Sequence, residues 1–217
     1  MDLHEYLRVP QNGMPSPIEI PGATRYDLPE LFSRMGFTRR AESGFREGEF
    51  SEGLCKGCPG LHPLCVDCWE HYEPYLDGPP AKRVARAQRI ARKRLEPYGC
   101  DVVKAFSVDA VKDVPDASLD FVYIDGNHSL EYTVQDLTRW SRKVRSGGIV
   151  SGHDYFFFER RFKIGVVQAV HAYTDVEHIK PWYVLGTRKE ARAYRSPPHH
   201  GTPREGHRFR SYMWVKQ

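Results

Sequence analysis

At 217 residues, the chain has the length of one large domain, enough to bury a sizeable core. Its 32 Lys and Arg against 28 Asp and Glu leave a formal net charge of +4, which favours an anionic ligand but falls short of a dedicated nucleic-acid binder. No apolar run approaches a membrane span, Met1–Glu5 lacks the pattern of a secretory signal, and five cysteines in a chain this large point to a reducing cytoplasm.

Residues 1–26, with Pro10, Gly13, Pro15, Pro17, Pro21 and Gly22, read as an arm or lid, and 27–217 as the domain proper. Asp27 is placed to cap a short helix with Leu28, Leu31 and Phe32 on one face. A weak strand ends at Ala41-Glu42, and a glycine turn leads into a helix through Phe50 and Leu54. Leu64–Asp67 is the second strand, followed by a helix over about 80–96 with Val84, Ala87, Ala91 and Leu95 as its stripe. Asp101–Phe106 and Leu119–Ile124 are the third and fourth strands. Ser129 can cap a helix carrying Leu130, Val134, Leu137 and Val144, which Gly147-Gly148 would end before a fifth strand at Ile149–Ser151. Trp182–Leu185 and Tyr212–Val215 look like two more strands, joined by a loop with Pro197, Pro198, His199 and His200. Strands alternating with helices of this length predict a doubly wound, mostly parallel sheet covered on both faces.

Ligands in such sheets sit beyond the carboxyl ends of the strands, and the polar residues collect there. Glu42-Ser43-Gly44-Phe45-Arg46-Glu47-Gly48 follows the first strand, its glycines allowing close backbone approach to a ligand. Asp67 ends the second strand, where a carboxylate can accept both hydroxyls of a ribose or, more plainly, cap a helix. The fourth strand ends in Ile124-Asp125-Gly126-Asn127-His128-Ser129. The fifth lies within Gly147-Gly148-Ile149-Val150-Ser151-Gly152-His153-Asp154-Tyr155.

With these segments the sequence resembles the class I S-adenosylmethionine-dependent methyltransferases, from about Leu28 to Trp214. The likeness is greatest to a subgroup with Ile-Asp-Gly-x-His-Ser and Gly-Gly-x-x-Ser-Gly-His-Asp-Tyr segments. The resemblance implies a Rossmann-like fold with an antiparallel last strand at 211–216. It also implies S-adenosyl-L-methionine as cofactor, with Glu42, Gly44 and Gly48 around its methionine part, Asp67 at the ribose, Ser107-Val108-Asp109 bordering the adenine, and Asp125 close by. The first turn has the Glu-x-Gly-x-x-x-Gly form, with Ser43 where an aliphatic residue is common. Some sugar O-methyltransferases of similar architecture bind a divalent ion at these strand ends. By that likeness Asp125, His153 and Asp154 would hold Mg2+ or Mn2+, and His128, with His153 beside it, would serve the proton transfer. The metal-free alternative is that His153 and Asp154 only shape the substrate loop.

Cys55-x-x-Cys58 and Cys65-x-x-Cys68 have the pairing of a zinc site, but only six residues separate the pairs, and Cys65 belongs to a strand. Free buried thiols are expected instead. Lys82, Arg83, Arg86, Arg89, Arg92, Lys93 and Arg94 lie off the apolar stripe and read as a solvated helix face. Phe156–Phe158 is either core or a substrate wall, and Tyr132, Asp136 and Trp140 are read as structural on their helix. The function expected is O-methylation of a small hydroxylated molecule by a cytoplasmic enzyme without nucleic-acid or membrane partners, with a homodimer as its candidate assembly. The competing readings are a non-enzymatic zinc- and RNA-binding protein, and transfer to nitrogen or RNA on the same fold.

Overall fold

The computed structural model describes residues 6–7, 15–72, 81–156, 164–193 and 209–217. They form one eight-stranded sheet. Its strands are β1 (Ile18–Ile20), β2 (Arg39–Ser43), β3 (His62–Asp67), β4 (Asp101–Lys104), β5 (Leu119–Ile124), β6 (Val144–Gly152), β7 (Tyr183–Leu185) and β8 (Ser211–Val215). The helices are α1 (Leu28–Arg34), α2 (Glu49–Gly57), α3 (Ala81–Leu95), a single turn α4 (Ser107–Ala110), α5 (Leu130–Lys143), α6 (Val166–Val176) and α7 (Arg188–Ala193).

The strand order is β1-β7-β8-β6-β5-β2-β3-β4. All pairings are parallel except those of β8, which runs antiparallel between β6 and β7. This is the doubly wound sheet expected from the sequence. The chain leaves β2 outward to β3 and β4, then returns to place β5 on the other side of β2, so the switch point lies between β2 and β5.

The central strands are apolar on both faces, as a covered parallel sheet requires. In β5, Phe121 and Tyr123 pack with Phe32, Phe50 and Leu54 of α1 and α2, while Val122 and Ile124 pack with Leu137 and Trp140 of α5 and Val170 of α6. Cys65 of β3 meets Val84, Ala87, Ala91 and Leu95, the stripe read for α3.

Several elements depart from the sequence reading. Residues 18–20 add an edge strand by pairing with β7. Asp27 turns its carboxylate back to accept from the Thr24 amide at 2.7 Å and makes no side-chain bond to α1. Ser129 holds the N-cap position of α5 without a side-chain bond, and Leu130 is 50% exposed. Gly147-Gly148 does not end α5. The helix stops at Lys143, and Val144 enters β6 directly, with the glycines in an irregularity opposite Asp120. A buried β-branched valine suits the strand better than a helix end. Helix α6 was not foreseen, because its run of valines resembles a strand more than a helix. Phe157, Phe158 and residues 197–200 lie outside the described residues.

Candidate active site

Beyond the switch point opens a cleft. Its walls come from every strand end on that side of the sheet: Ser43 and Gly44 after β2, Asp67 and Tyr72 after β3, Phe106 and Ser107 after β4, and Gly126 and Asn127 after β5. Gly44 is what lets the central ends close. Its φ is +81°, and a Cβ there would collide with the backbone of Asp125 and Gly126. Backbone bonds from Asp125 N to Ser43 O (2.7 Å) and from Gly44 N to Val66 O (2.8 Å) stitch the three ends together.

Asp67 accepts from the Arg46 amide at 2.9 Å and the Trp69 amide at 2.8 Å, so it closes the turns after β2 and β3 and caps no helix. Burial pushes its carboxyl above the usual carboxylate range, against the pull of those amides. Tyr72 receives a bond from Asn127 Nδ2 at 3.3 Å and stands edge-on to Phe106. Ser107 Oγ accepts from Trp140 Nε1 at 2.7 Å and donates to Asp136 Oδ1 at 2.5 Å. Tyr132 and Asp136, read from the sequence as structural, line the cleft.

Glu42, Gly48, Asp109 and Asp125, all expected at the cofactor, lie off the cleft lining. Strand alternation turns Glu42 the opposite way from Ser43. It is buried with Arg40 at 3.1 Å and accepts from Ser51 Oγ of α2, and burial raises its pKa. Gly48, at φ +77°, begins α2 and faces the Leu95 side chain. Both glycine-turn ends are thus structural neighbours of the cleft, and within the turn Ser43 and Gly44 form its wall.

Next to the cleft, the ends of β5 and β6 converge on a charged cluster. His128 Nε2 lies 3.0 Å from Asp154 Oδ2 and 3.5 Å from Asp125 Oδ1. His153 Nδ1 lies 3.3 Å from Asp154 and 3.5 Å from Asp125. Asp154 adopts φ +53°, a left-handed backbone that aspartate tolerates better than most residues. Burial opposes ionisation of Asp125, yet His153, His128 and Arg25 hold it far below the usual carboxylate range. Asp154 is lowered in the same way by both imidazoles. His153 is raised: burial and Arg25 disfavour its charge, but the two carboxylates prevail.

Arg25 was not singled out in the sequence. Its guanidinium lies 3.5 Å from Asp125 and over the Phe50 ring, and Asp125 and Tyr123 keep it charged despite burial. A lone arginine in a proline-rich segment carries no pattern that would reveal this. Among the described residues, donor atoms of Asp125, His128 and Asp154 all lie within 4.8 Å of one another. The carboxylates are those read from the sequence as ligands, while the imidazole in this group is His128, which was expected to be the base.

Among the described residues the two Cys-x-x-Cys pairs form no metal-holding group, although Cys55 and Cys65 both interact with Cys100. Cys55 faces Cys100 at 3.7 Å, Cys58 donates to Pro29 O, Cys65 contacts Ser51, and Cys68 lines the cleft. All five are free thiols. No helix among the described residues is long and apolar enough to cross a membrane.

A doubly wound sheet with its last strand inserted antiparallel, and a cleft at the switch point, is the architecture of the class I S-adenosylmethionine-dependent methyltransferases. Residues 41–155, just over half of the chain, match the family described as Methyltransferase domain, and the chain belongs to that family. The fold is shared with the O-methyltransferase from Bacillus cereus in complex with SAH (TM-score 0.57, 15% identity, 98% of this chain and 87% of that one). It is shared with TomG from Streptomyces achromogenes, an O-methyltransferase involved in tomaymycin synthesis, in complex with SAM (0.53, 15%, 99% and 86%). An rRNA methylase from Streptococcus thermophilus is also similar (0.53, 12%, 87% and 94%). No curated protein matches the sequence.

Proposed function

We propose that the protein transfers the methyl group of S-adenosylmethionine to a hydroxyl of a small molecule. The observation that carries this reading is the adjacency of two sites: a cleft walled by Gly44, Asp67 and Ser107, and an imidazole–carboxylate cluster just beyond Gly126 and Asn127. Two O-methyltransferases of the same fold, from Bacillus cereus and Streptomyces achromogenes, are described in complex with SAH and SAM, which supports the cofactor.

In this reading Asp67 accepts the ribose hydroxyls with the lone pairs its two amide donors leave over, since an ionised carboxylate has about four acceptor sites. Gly44 lets the backbone lie against the methionine moiety, and Phe106, Ser107 and Val108 border the adenine. The bound cofactor supplies an electrophilic methyl group, and the chain's share of the chemistry is alignment and removal of one proton. His128 takes the proton of the acceptor hydroxyl. Asp125 and Asp154 orient its ring and stabilise the imidazolium that results.

The carboxylates of Asp125 and Asp154, with His153 Nδ1 at 3.5 and 3.3 Å from them, also suit a divalent ion such as Mg2+ or Mn2+. Asp125, Asp154 and His153 would hold it, and it would lower the pKa of an acceptor hydroxyl.

The reading is tested by thermal shift with S-adenosylhomocysteine, since a ligand that binds only the folded state raises the melting temperature. Asp67→Ala should remove most of that shift, and SAH should accumulate when the protein is given S-adenosylmethionine and small hydroxylated acceptors. Absence of any shift at saturating ligand refutes the cofactor assignment. Methyl transfer to RNA in place of small acceptors refutes the substrate class.

A further inference from the structure

We propose that Asp136 sets the base preference of the cofactor cleft by fixing the polarity of the Ser107 hydroxyl, so that the cleft selects a 6-aminopurine over a 6-oxopurine. The proposal rests on the cofactor reading above, with the adenine beside Ser107.

A serine hydroxyl has one proton and two lone pairs, and on a free surface it rotates to match either a donor or an acceptor. Ser107 has lost that choice. Trp140 Nε1 can only donate, and it occupies one lone pair of Oγ at 2.7 Å. The single proton goes to Asp136 Oδ1 at 2.5 Å. One lone pair remains for the cleft that Ser107 lines.

Both partners are rigid. Trp140 is fully buried beneath the sheet, and Asp136 is 5% exposed on the middle of α5. Asp136 Oδ1 accepts from Ser107 whether the carboxyl is ionised or neutral, because a proton on the group resides on the other oxygen. That second oxygen borders Gly126, where a Cβ would stand 3.4 Å from Oδ2. Ser107 Oγ therefore faces the cleft as a hydrogen-bond acceptor, with Asp136 Oδ2 a second acceptor beside it when the carboxyl is ionised.

An exocyclic amine at the purine 6-position brings an N–H and completes the set. A 6-oxo group sets lone pair against lone pair and leaves the acceptor unmatched, and a site built to receive a donor rejects an analogue that lacks one. Asp136 acts through Ser107 and is a positioning residue for the cofactor.

The test measures binding of S-adenosylhomocysteine and its deaminated analogue S-inosylhomocysteine by calorimetry. The unmodified protein, Asp136→Ala and Ser107→Ala are compared, each shown to be folded by near-ultraviolet circular dichroism. The unmodified protein should prefer the adenosyl ligand by about 10²-fold. Asp136→Ala frees the hydroxyl to point its proton into the cleft, and the ratio should drop by about tenfold or more. Ser107→Ala removes the acceptor and should lower the same ratio, so the proposal stays falsifiable if Asp136→Ala does not fold. A general loosening of the cleft weakens both ligands alike and leaves the ratio unchanged. Equal affinities in the unmodified protein, or an unchanged ratio in the folded variants, overturn the proposal while SAH binding stands. Failure to bind SAH at all overturns the cofactor reading and the proposal with it.

Discussion

Asp136 also controls how stability depends on pH, and replacing it with asparagine exposes that control. The carboxyl would ordinarily ionise near 3.8, and burial pushes it up to about 7 although Ser107 donates to it. The unfolded chain therefore gives up this proton first, and between the two values the folded state holds one proton more. Stability is fully present below the unfolded value, falls as pH rises, and stops falling above about 7. At about 1.4 kcal/mol per unit, the penalty across this window reaches about 4 kcal/mol. Asp136→Asn keeps an acceptor for Ser107 and removes the ionisation. The stability of the variant relative to the unmodified protein should thus climb by about 4 kcal/mol from acid to mildly alkaline pH, or roughly 10 °C in melting temperature for a chain of this size. Urea unfolding of both proteins, followed by tryptophan fluorescence across that range, measures it. Two stability curves that run parallel would refute the argument, since every other titrating group is common to both.

Gly44→Ala should abolish the thermal shift given by SAH and cost the fold about 1–3 kcal/mol from backbone strain alone, because its Cβ would force the ends of β2 and β5 apart. Denaturant melts with and without SAH check both effects. Glu42→Ala leaves the Arg40 guanidinium buried without its carboxylate and should destabilise by about 3–5 kcal/mol, whereas a direct cofactor role would show as lost SAH affinity at unchanged stability. His128→Ala should lower the catalytic rate by about 10²-fold with SAH affinity nearly intact. Turnover that survives both this change and EDTA would leave alignment as the only contribution of the cluster.

The alternation of strands and helices was legible because each central strand is a short apolar run and each long helix carries a clean stripe. Leu119–Ile124 as β5 and the Val84, Ala87, Ala91, Leu95 face of α3 are of this kind. The strand-end residues were legible for a related reason. A polar segment such as Asp125–Ser129 directly after a buried strand has no place in a core and must lie at its mouth. Where local pattern was ambiguous the reading failed. The valines of α6 fit either a strand or a helix, and β1 is three residues whose only reason to be extended is the edge of β7.

The sequence by itself determined the class of fold and which strand ends bear polar groups, because these follow from hydrophobic periodicity and turn chemistry along the chain. Only the tertiary structure decided which of those groups meet. Strand alternation sent Glu42 to Arg40 and Ser51 on the face opposite α5, while docking of α5 brought Asp136 and Trp140 onto Ser107 from about 30 residues away. The segment before α1 delivered Arg25 to Asp125 across 100 residues. Such pairings depend on how separate elements pack, and packing is decided by the fit of whole faces, which no local stretch of sequence contains.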